Sequence, residues 1–364
     1  IKDLCVYWFR KAHDHLKPGQ RAGLVGTNSV SQNTAREASL DYIVEKGGVI
    51  TDAVSSQRWP GDAKVHVSLV NWVKQPTAPV EQFVLDGDEV SGITSSLREG
   101  DADDWKPQPL TANRDKCFQG PIPVGKGFIV TEAEAQSMLA DGSAEYAKVI
   151  RPFLTSDDIA SRPDQSPSRW IIDFAQMGLE HATRFPRALA IVRERVKPFR
   201  DTVRREGHRL KWWQYGEPRV GMRKATEPLD RSIAVGAHAK RLNLTWLDPR
   251  TLANNANMVF AFDDDYSMGI LLSRAHDAWA WAQSSTLKGD LRYTPTTVFA
   301  TFPWPDPVTP EQREAVASAS AALYARRSEL CREHDMGLTA LYNLMDEGGF
   351  TDLAALHKKL DVAV

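Results

Sequence analysis

The run Ser284-Ser285-Thr286-Leu287-Lys288-Gly289-Asp290-Leu291-Arg292-Tyr293 places Lys288, Asp290 and Arg292 at a spacing of two. In an extended segment that spacing puts all three side chains on one face. Lys and Arg donate to guanine O6 and N7, and Asp accepts from cytosine N4. A ladder of mixed sign therefore suits base edges better than phosphates alone, although the same residues also make an ordinary hairpin edge with a surface ion pair. A second stretch, Ser56-Gln57-Arg58-Trp59-Pro60-Gly61, carries an aromatic on a loop ahead of an apolar run from Val65 to Val73. Such an aromatic is most often packing; exposed at a sheet edge, it stacks on a base or another planar ligand. The third stretch runs from Arg184 to Lys224, where Trp212, Trp213 and Tyr215 interleave with Arg209, Lys211, Arg219, Arg223 and Lys224. Clustered positive charge with aromatics suits phosphate contact plus stacking. A solvated basic helix face is the plainer alternative.

The charge distribution supports that third stretch. From Glu81 to Trp105 there are eight acids against one base, and from His181 to Thr245 sixteen bases against six acids. The formal net charge of −2 hides this asymmetry. Familiar catalytic signatures are missing: the sequence has no G-x-G-x-x-G, Walker loop, G-x-S-x-G or H-E-x-x-H. His13 and His15, on an expected helix, read as solvated rather than metal-ligating, and no metal site is expected.

Stepping along the elements, Val6, Phe9, Ala12 and Leu16 recur at helical spacing, and Lys17-Pro18-Gly19 ends that helix. Ala22 to Gly26 reads as a buried strand. A helix capped by Ser31 or Asn33 runs to about Lys46, followed by strands at Val49 to Val54 and Val65 to Val73. Residues 1–80 thus read as the late part of an α/β domain with a mostly parallel sheet. Residues 81–120 read as an acidic linker, and residues 121–306 as a mixed α and β domain. In that domain Thr131 and Glu134 form a capping box, and Pro198 breaks a basic helix spanning 186–206. Short strands are expected at Ser232 to Val235, Leu242 to Trp246 and Met258 to Phe262, then a helix from Ser267 to Trp281. Residues 307–364 read as a helical tail.

Composition narrows the class. The length suggests two or three domains, and 42% apolar with 25% charged residues is ordinary for a globular protein. No run approaches the ~20 apolar residues of a membrane span. Cys5, Cys117 and Cys331 are too scattered for a disulfide framework or a C-x-x-C site. These features exclude a secreted mini-protein, a membrane protein and a structural zinc module, and lead to the expectation of a cytoplasmic globular protein. Ile1 opens almost directly onto a helical pattern and Val364 closes within one, so a fragment cut at both ends is expected.

The order and wording of several runs resemble the C-terminal half of γ-class adenine-N6 DNA methyltransferases, particularly the single-chain type II (IIG/IIL) restriction–modification enzymes. Leu16-Lys17-Pro18-Gly19 with the strand to Thr27-Asn28-Ser29, then Arg58-Trp59-Pro60-Gly61 with the strand from Val65 to Trp72, resemble the later catalytic-domain motifs. The recognition domain is resembled by Phe118-Gln119-Gly120 with Gly125-x-Gly127-Phe128, by the run from Ser161 to Trp170, and by Trp212-Trp213. Ser273-Arg274-Ala275-His276, Leu287 through Tyr293, and Phe302-Pro303-Trp304-Pro305 complete it. The resemblance implies a Rossmann-like S-adenosylmethionine sheet ending near residue 80, a target-recognition domain at 121–306 and a helical C-terminal region. It implies S-adenosylmethionine as cofactor, double-stranded DNA as partner, and a base flipped out of the stack, with Trp59 in the stacking position. The family's cofactor loop and Asn-Pro-Pro-Tyr-type motif precede the part resembled here and are not in this sequence. The chain is therefore expected to need an N-terminal methyltransferase half, binding duplex DNA alone without transferring methyl groups.

Base choice, by the same resemblance, falls to Lys288, Asp290, Arg292, Asn255 and Ala256. With Lys288 on guanine and Asp290 on the N4 amine of its paired cytosine, a G·C pair with guanine on the methylated strand is expected at that step. His238, Lys240, Arg241, Arg219 and Arg223 are further DNA-contact candidates, to base or phosphate. A stand-alone DNA specificity subunit and an RNA-directed methyltransferase are the alternatives.

Overall fold

The computed structural model describes residues 3–63, 65–100, 107–287 and 290–364, without side-chain detail at 33, 141–144 and 285–287. The chain divides into two compact units, residues 1–108 with 284–290, and residues 109–283 with 291–364.

The first unit is built on a five-stranded sheet in the order β1-β3-β2-β4-β5. Its strands are β1 (Arg21–Thr27), β2 (Gly48–Arg58), β3 (His66–Lys74), β4 (Phe83–Leu85) and β5 (Asp88–Val90). β3 lies antiparallel between β1 and β2, and only β2 and β4 pair in parallel. This corrects the expected mostly parallel sheet. The connection from β2 to β3 is too short for a parallel crossover, which takes a dozen or more residues, so the two apolar runs close as a hairpin. The helix Cys5–His15 buries Val6 and Phe9, and Phe9 stacks on Trp72 at 5.8 Å in a core with Val30, Leu40, Ile43, Ile50 and Val70.

Two local expectations also change. The helix expected from residue 31 or 33 is broken at Ser39, whose buried hydroxyl donates to the carbonyls of Ala35 (2.6 Å) and Val30 (2.9 Å). His13 is buried, 1% exposed, rather than solvated. It falls on the same face as Val6 and Phe9, one helical period further on. The stretch expected as a bare acidic linker carries the β4–β5 hairpin of the first sheet and, at Cys117–Gln119, a strand of the second unit.

In the second unit, two four-stranded sheets share one core. The first has the order β12-β10-β14-β6, all antiparallel neighbours. These are β6 (Cys117–Gln119), β10 (Ser232–Gly236), β12 (Thr245–Leu247) and β14 (Asn257–Phe260). The second has the order β13-β8-β9-β7, from β7 (Ile129–Val130), β8 (Ile150–Leu154), β9 (Arg169–Ile172) and β13 (Leu252–Ala253). β11 (His238–Ala239) extends from β10; β15 (Ser285–Leu287), which groups with the first unit, and β16 (Asp290–Arg292) come late in the chain. The Thr131 capping box forms, with the Thr131 N–H donating to Glu134 Oε2 (2.8 Å) and the Glu134 N–H donating to Thr131 Oγ1 (3.2 Å). The basic helix breaks as Pro198 requires, into Pro186–Arg195 and Lys197–Thr202.

The helical region after 307 comprises Pro310–Glu333, Leu338–Asp346 and Thr351–Ala363. It is no separate body: Leu323, Leu330, Leu341, Leu353 and Leu360 lie in one core with Val130, Ile171, Phe174 and Ile270. Among the described residues, no helix is long and apolar enough to cross a membrane, and no cluster of three His, Cys, Asp or Glu could hold a metal ion.

Candidate nucleic-acid interface

The sequence candidates at 238, 255, 256 and 292 converge because of one residue, Ala237. Its N–H donates to the Ala256 carbonyl (2.7 Å) and its carbonyl accepts from the Tyr293 N–H (2.8 Å). One step further along, His238 faces Arg292 across the antiparallel β11–β16 pair. Strand alternation then sorts the side chains: Leu291 and Tyr293 are each 1% exposed, while Arg292 and His238 face solvent. Asp290 shares the Arg292 side of β16 by the same period and is half-buried. Lys288 lies outside the described residues.

What anchors this edge is polar and buried. Tyr293 reaches His276, whose Nε2 lies 3.0 Å from the Tyr293 hydroxyl and whose Nδ1 lies 2.8 Å from the Leu271 carbonyl. A carbonyl only accepts, so Nδ1 carries the proton and Nε2 accepts from the tyrosine. Burial pushes the His276 pKa down to about 4 and keeps the ring neutral.

The turn carrying Asn255 and Ala256 is pinned on several sides. Asn254 Oδ1 accepts from the Ala256 N–H (3.0 Å) and from Asn257 Nδ2 (2.9 Å), and Ser156 Oγ donates to the Ala256 carbonyl (3.1 Å). The Asn255 carbonyl accepts from Gln119 Nε2 (2.8 Å), while the Asn255 side chain is exposed. Gln119 Oε1 in turn accepts from Arg219 Nη2 (2.8 Å). In the sequence Gln119 stands only within the run Phe118-Gln119-Gly120; its bridging role arises in the tertiary structure. The following Gly120 was the available signal, since a Cβ there would lie 2.1 Å from the Asn254 carbonyl oxygen.

Other candidates are engaged elsewhere. Arg223 makes a two-pronged pair with the buried Asp173 (2.7 and 3.1 Å) and donates to the Pro218 carbonyl (2.8 Å). Arg241 pairs with both oxygens of Asp346 (2.7 and 2.9 Å) and lies over the Tyr342 ring at 4.7 Å. Lys240 beside it is exposed and lines a cleft of about 410 Å³ with Tyr342, His357 and Asp277.

The aromatic component of the basic run is not available for stacking. Trp212, Trp213 and Tyr215 are buried, with Trp213 Nε1 donating to the Met177 carbonyl (2.9 Å) and the Tyr215 hydroxyl to the Ile172 carbonyl (2.8 Å). Arg200 is buried too, donating to the carbonyls of Pro123 (2.6 Å), Gln214 (2.9 Å) and His208 (3.2 Å). Arg184, Arg204, Lys211 and Lys224 remain exposed. A cavity of about 590 Å³ near Lys224, with Arg151, Glu227 and Asp248 in its wall, is of mixed charge.

In the first unit Trp59 follows β2 directly, with its N–H on the Val65 carbonyl (2.9 Å). It is 42% exposed, and Gly61 lies so close that a Cβ there would sit 2.7 Å from the indole nitrogen. The ring thus lies in the loop that closes the β2–β3 hairpin, partly exposed to solvent.

Residues 106–306, more than half of the chain, match the family described as "MmeI, target recognition domain". The chain belongs to that family. Its fold is similar to that of the type IIL restriction-modification enzyme MmeI in complex with DNA, with a TM-score of 0.81 and 20% identity over 100% of this chain and 49% of that one. The MmeI-family chain described here therefore spans about half the length of that enzyme. A second similarity, to the type IIG restriction endonuclease BpuSI, has 10% identity over 90% of this chain and 44% of that one, with a TM-score of 0.30. No curated protein matches the chain in sequence.

Proposed function

We propose that this chain is the DNA-reading portion, with the adjoining end of the catalytic domain, of an S-adenosylmethionine-dependent adenine-N6 DNA methyltransferase of a restriction–modification system. The observation that carries the proposal is the edge where His238, Arg292 and the Asn255–Ala256 turn are brought together by the backbone of Ala237, within the residues that match the target-recognition family. Donors and acceptors of this kind on short, buried-anchored strands suit base edges in a groove. Exposed Arg184, Arg204, Lys211 and Lys224 supply sequence-independent phosphate contacts. The MmeI structure, solved in complex with DNA, supports DNA as the partner. The G·C step assigned to Lys288 and Asp290 belongs to the same proposal, as does a cytoplasmic location.

Trp59 is the stacking residue for the flipped adenine, in keeping with its partly exposed ring in the hairpin loop. The sequence has no glycine-rich cofactor loop and no Asn-Pro-Pro motif, and no residue of this chain is assigned to S-adenosylmethionine. No step through the cofactor is assigned to this chain, which reads the duplex and holds the base.

Selection of bound sequences from a random duplex pool tests the proposal, with an RNA duplex as competitor. A defined site with a G·C step and preference for DNA is expected; random recovery, or preference for RNA, sinks it. In the full-length protein, Trp59→Ala should cut adenine methylation roughly tenfold or more, since base–aromatic stacking contributes about 1–3 kcal/mol. Unchanged methylation removes Trp59 from the site.

A further inference from the structure

Gln119 sits between two groups of opposite demand. The Arg219 guanidinium only donates and the Asn255 carbonyl only accepts. Their distances to Gln119, 2.8 Å to Oε1 and 2.8 Å to Nε2, fit one orientation of the amide and exclude its flip. Arg219 reaches this position from a left-handed backbone, φ 54°, a region costly for a residue with a Cβ. Its Nε is buried with no hydrogen-bond partner. Two unfavourable features thus coincide at the arginine whose guanidinium makes the bond to Gln119.

The target of the relay is the exposed Asn255. Its neighbours are fixed from within: the Asn254 N–H donates to the Leu154 carbonyl (2.9 Å), and the Asn257 N–H to the Asn254 carbonyl (3.0 Å). Gly120 admits the turn at backbone contact distance. The Gln119 bond holds the carbonyl of the Asn255–Ala256 peptide, whose N–H is held by Asn254 Oδ1 (3.0 Å), and so helps set the direction in which the Asn255 side chain leaves the turn. A base-reading amide needs that direction set to within a fraction of an ångström.

We infer that Gln119 and Arg219 are positioning residues for base reading by Asn255: Arg219 selects the orientation of the Gln119 amide, and that amide holds the Asn255 carbonyl. The inference rests on the DNA-reading role proposed above. Gln119→Glu separates it from simple packing. A glutamate keeps the size and the bond to Arg219 but sets a second acceptor against the Asn255 carbonyl, so the turn must move.

Base preference is measured step by step by selection from a random duplex pool, using the full-length protein and its variants, with melting temperatures alongside. Asn255→Ala identifies the step that Asn255 reads. Gln119→Glu and Arg219→Ala are each expected to lower discrimination at that same step roughly tenfold, the scale of one good base contact. The other steps and the slope of affinity against log salt should stay as in the wild type. Arg219→Gly, which relieves the backbone strain while removing the guanidinium, should behave as Arg219→Ala does. If it keeps wild-type preference, the side chain is not the actor and the inference falls. It falls equally if Gln119→Glu weakens all sequences uniformly, changes a different step, or changes none. Should Gln119→Glu fail to fold, Gln119→Leu removes the donor without adding a charge and must flatten the same step. A wild-type protein that selects no site at all overturns the DNA-reading role, and this inference with it.

Discussion

The basic run from 184 to 224 and the edge formed by His238, Asn255 and Arg292 contain similar residue types and use them in opposite ways. In the basic run the large aromatics and two of the arginines, Arg200 and Arg223, turn inward, where guanidinium groups tie loops together through carbonyls and Asp173. At the edge the core takes Leu291 and Tyr293, and the polar side chains between them face outward. The difference teaches that charge and aromatic content mark a region without saying which way its side chains point. An interleaving with no fixed period leaves burial to the fold, whereas a period of two on a strand assigns it directly.

The sharpest way to break this comparison is at Arg200. Arg200→Ala would remove the guanidinium from the half-buried carbonyls of His208 and Gln214, each at about 1–3 kcal/mol, while the Pro123 carbonyl keeps the Gly216 N–H (3.3 Å). A stability loss of about 3 kcal/mol or more is expected in urea unfolding, with base preference intact. A loss under about 1 kcal/mol would mean that water, not the guanidinium, serves those carbonyls.

Acid should then act on the edge through its anchor. The His276 pKa of about 4 in the fold lies below its unfolded value of about 6.5. The neutral ring therefore stabilises the fold fully above pH 6.5, and the contribution, about 3 kcal/mol, is lost as pH falls toward 4. Burial holds His357 at about 4 as well, adding a loss of the same sign. Thermal melts across pH 4 to 7 should show the decline, and His276→Gln should flatten part of it. Equal slopes in variant and wild type would remove His276 as the cause.

A smaller effect, of a different kind, is expected at Arg292. Arg292→Ala should leave stability within about 0.5 kcal/mol, as for a surface change, while costing about 1–3 kcal/mol of discrimination at one base step. Site selection and melting of the same preparation separate the two. A large drop in stability would make Arg292 a structural residue.

Least affected should be Lys211→Ala and Arg204→Ala. Each should weaken binding evenly across sequences and reduce the log-salt slope by about 1 if its side chain meets a phosphate. A sequence-dependent loss at either would erase the distinction between the two regions.

Much of the local structure was legible in the sequence: the Thr131 capping box, the break at Pro198, the strand at Ser232 and the helical character of the C-terminal region all follow from short-range rules. The antiparallel hairpin of β2 and β3 was legible too, because its connection is too short for a crossover, although apolar runs alone suggested a parallel sheet. Ser39 was not: two carbonyls, one of them nine residues away in Val30, compete for its hydroxyl where the helix breaks. Of the candidate site, Arg292 with its inward neighbours Leu291 and Tyr293 was readable from alternation, and Trp59 from its place beside Pro60 and Gly61. The ion pairs of Arg223 and Arg241 were not legible because their partners, Asp173 and Asp346, are 50 and 105 residues away.

The sequence by itself determined many of the helices and strands and which residue types stand at spacings suited to bases, because those depend on neighbours a few positions apart. Only the tertiary structure decided that Ala237 joins the Ala256 turn to Tyr293, that Gln119 bridges Arg219 and Asn255, and that three aromatics of the basic run are core. Those outcomes depend on hydrogen bonds and burial between residues far apart in the chain, where each donor takes whichever acceptor the packed core leaves within reach.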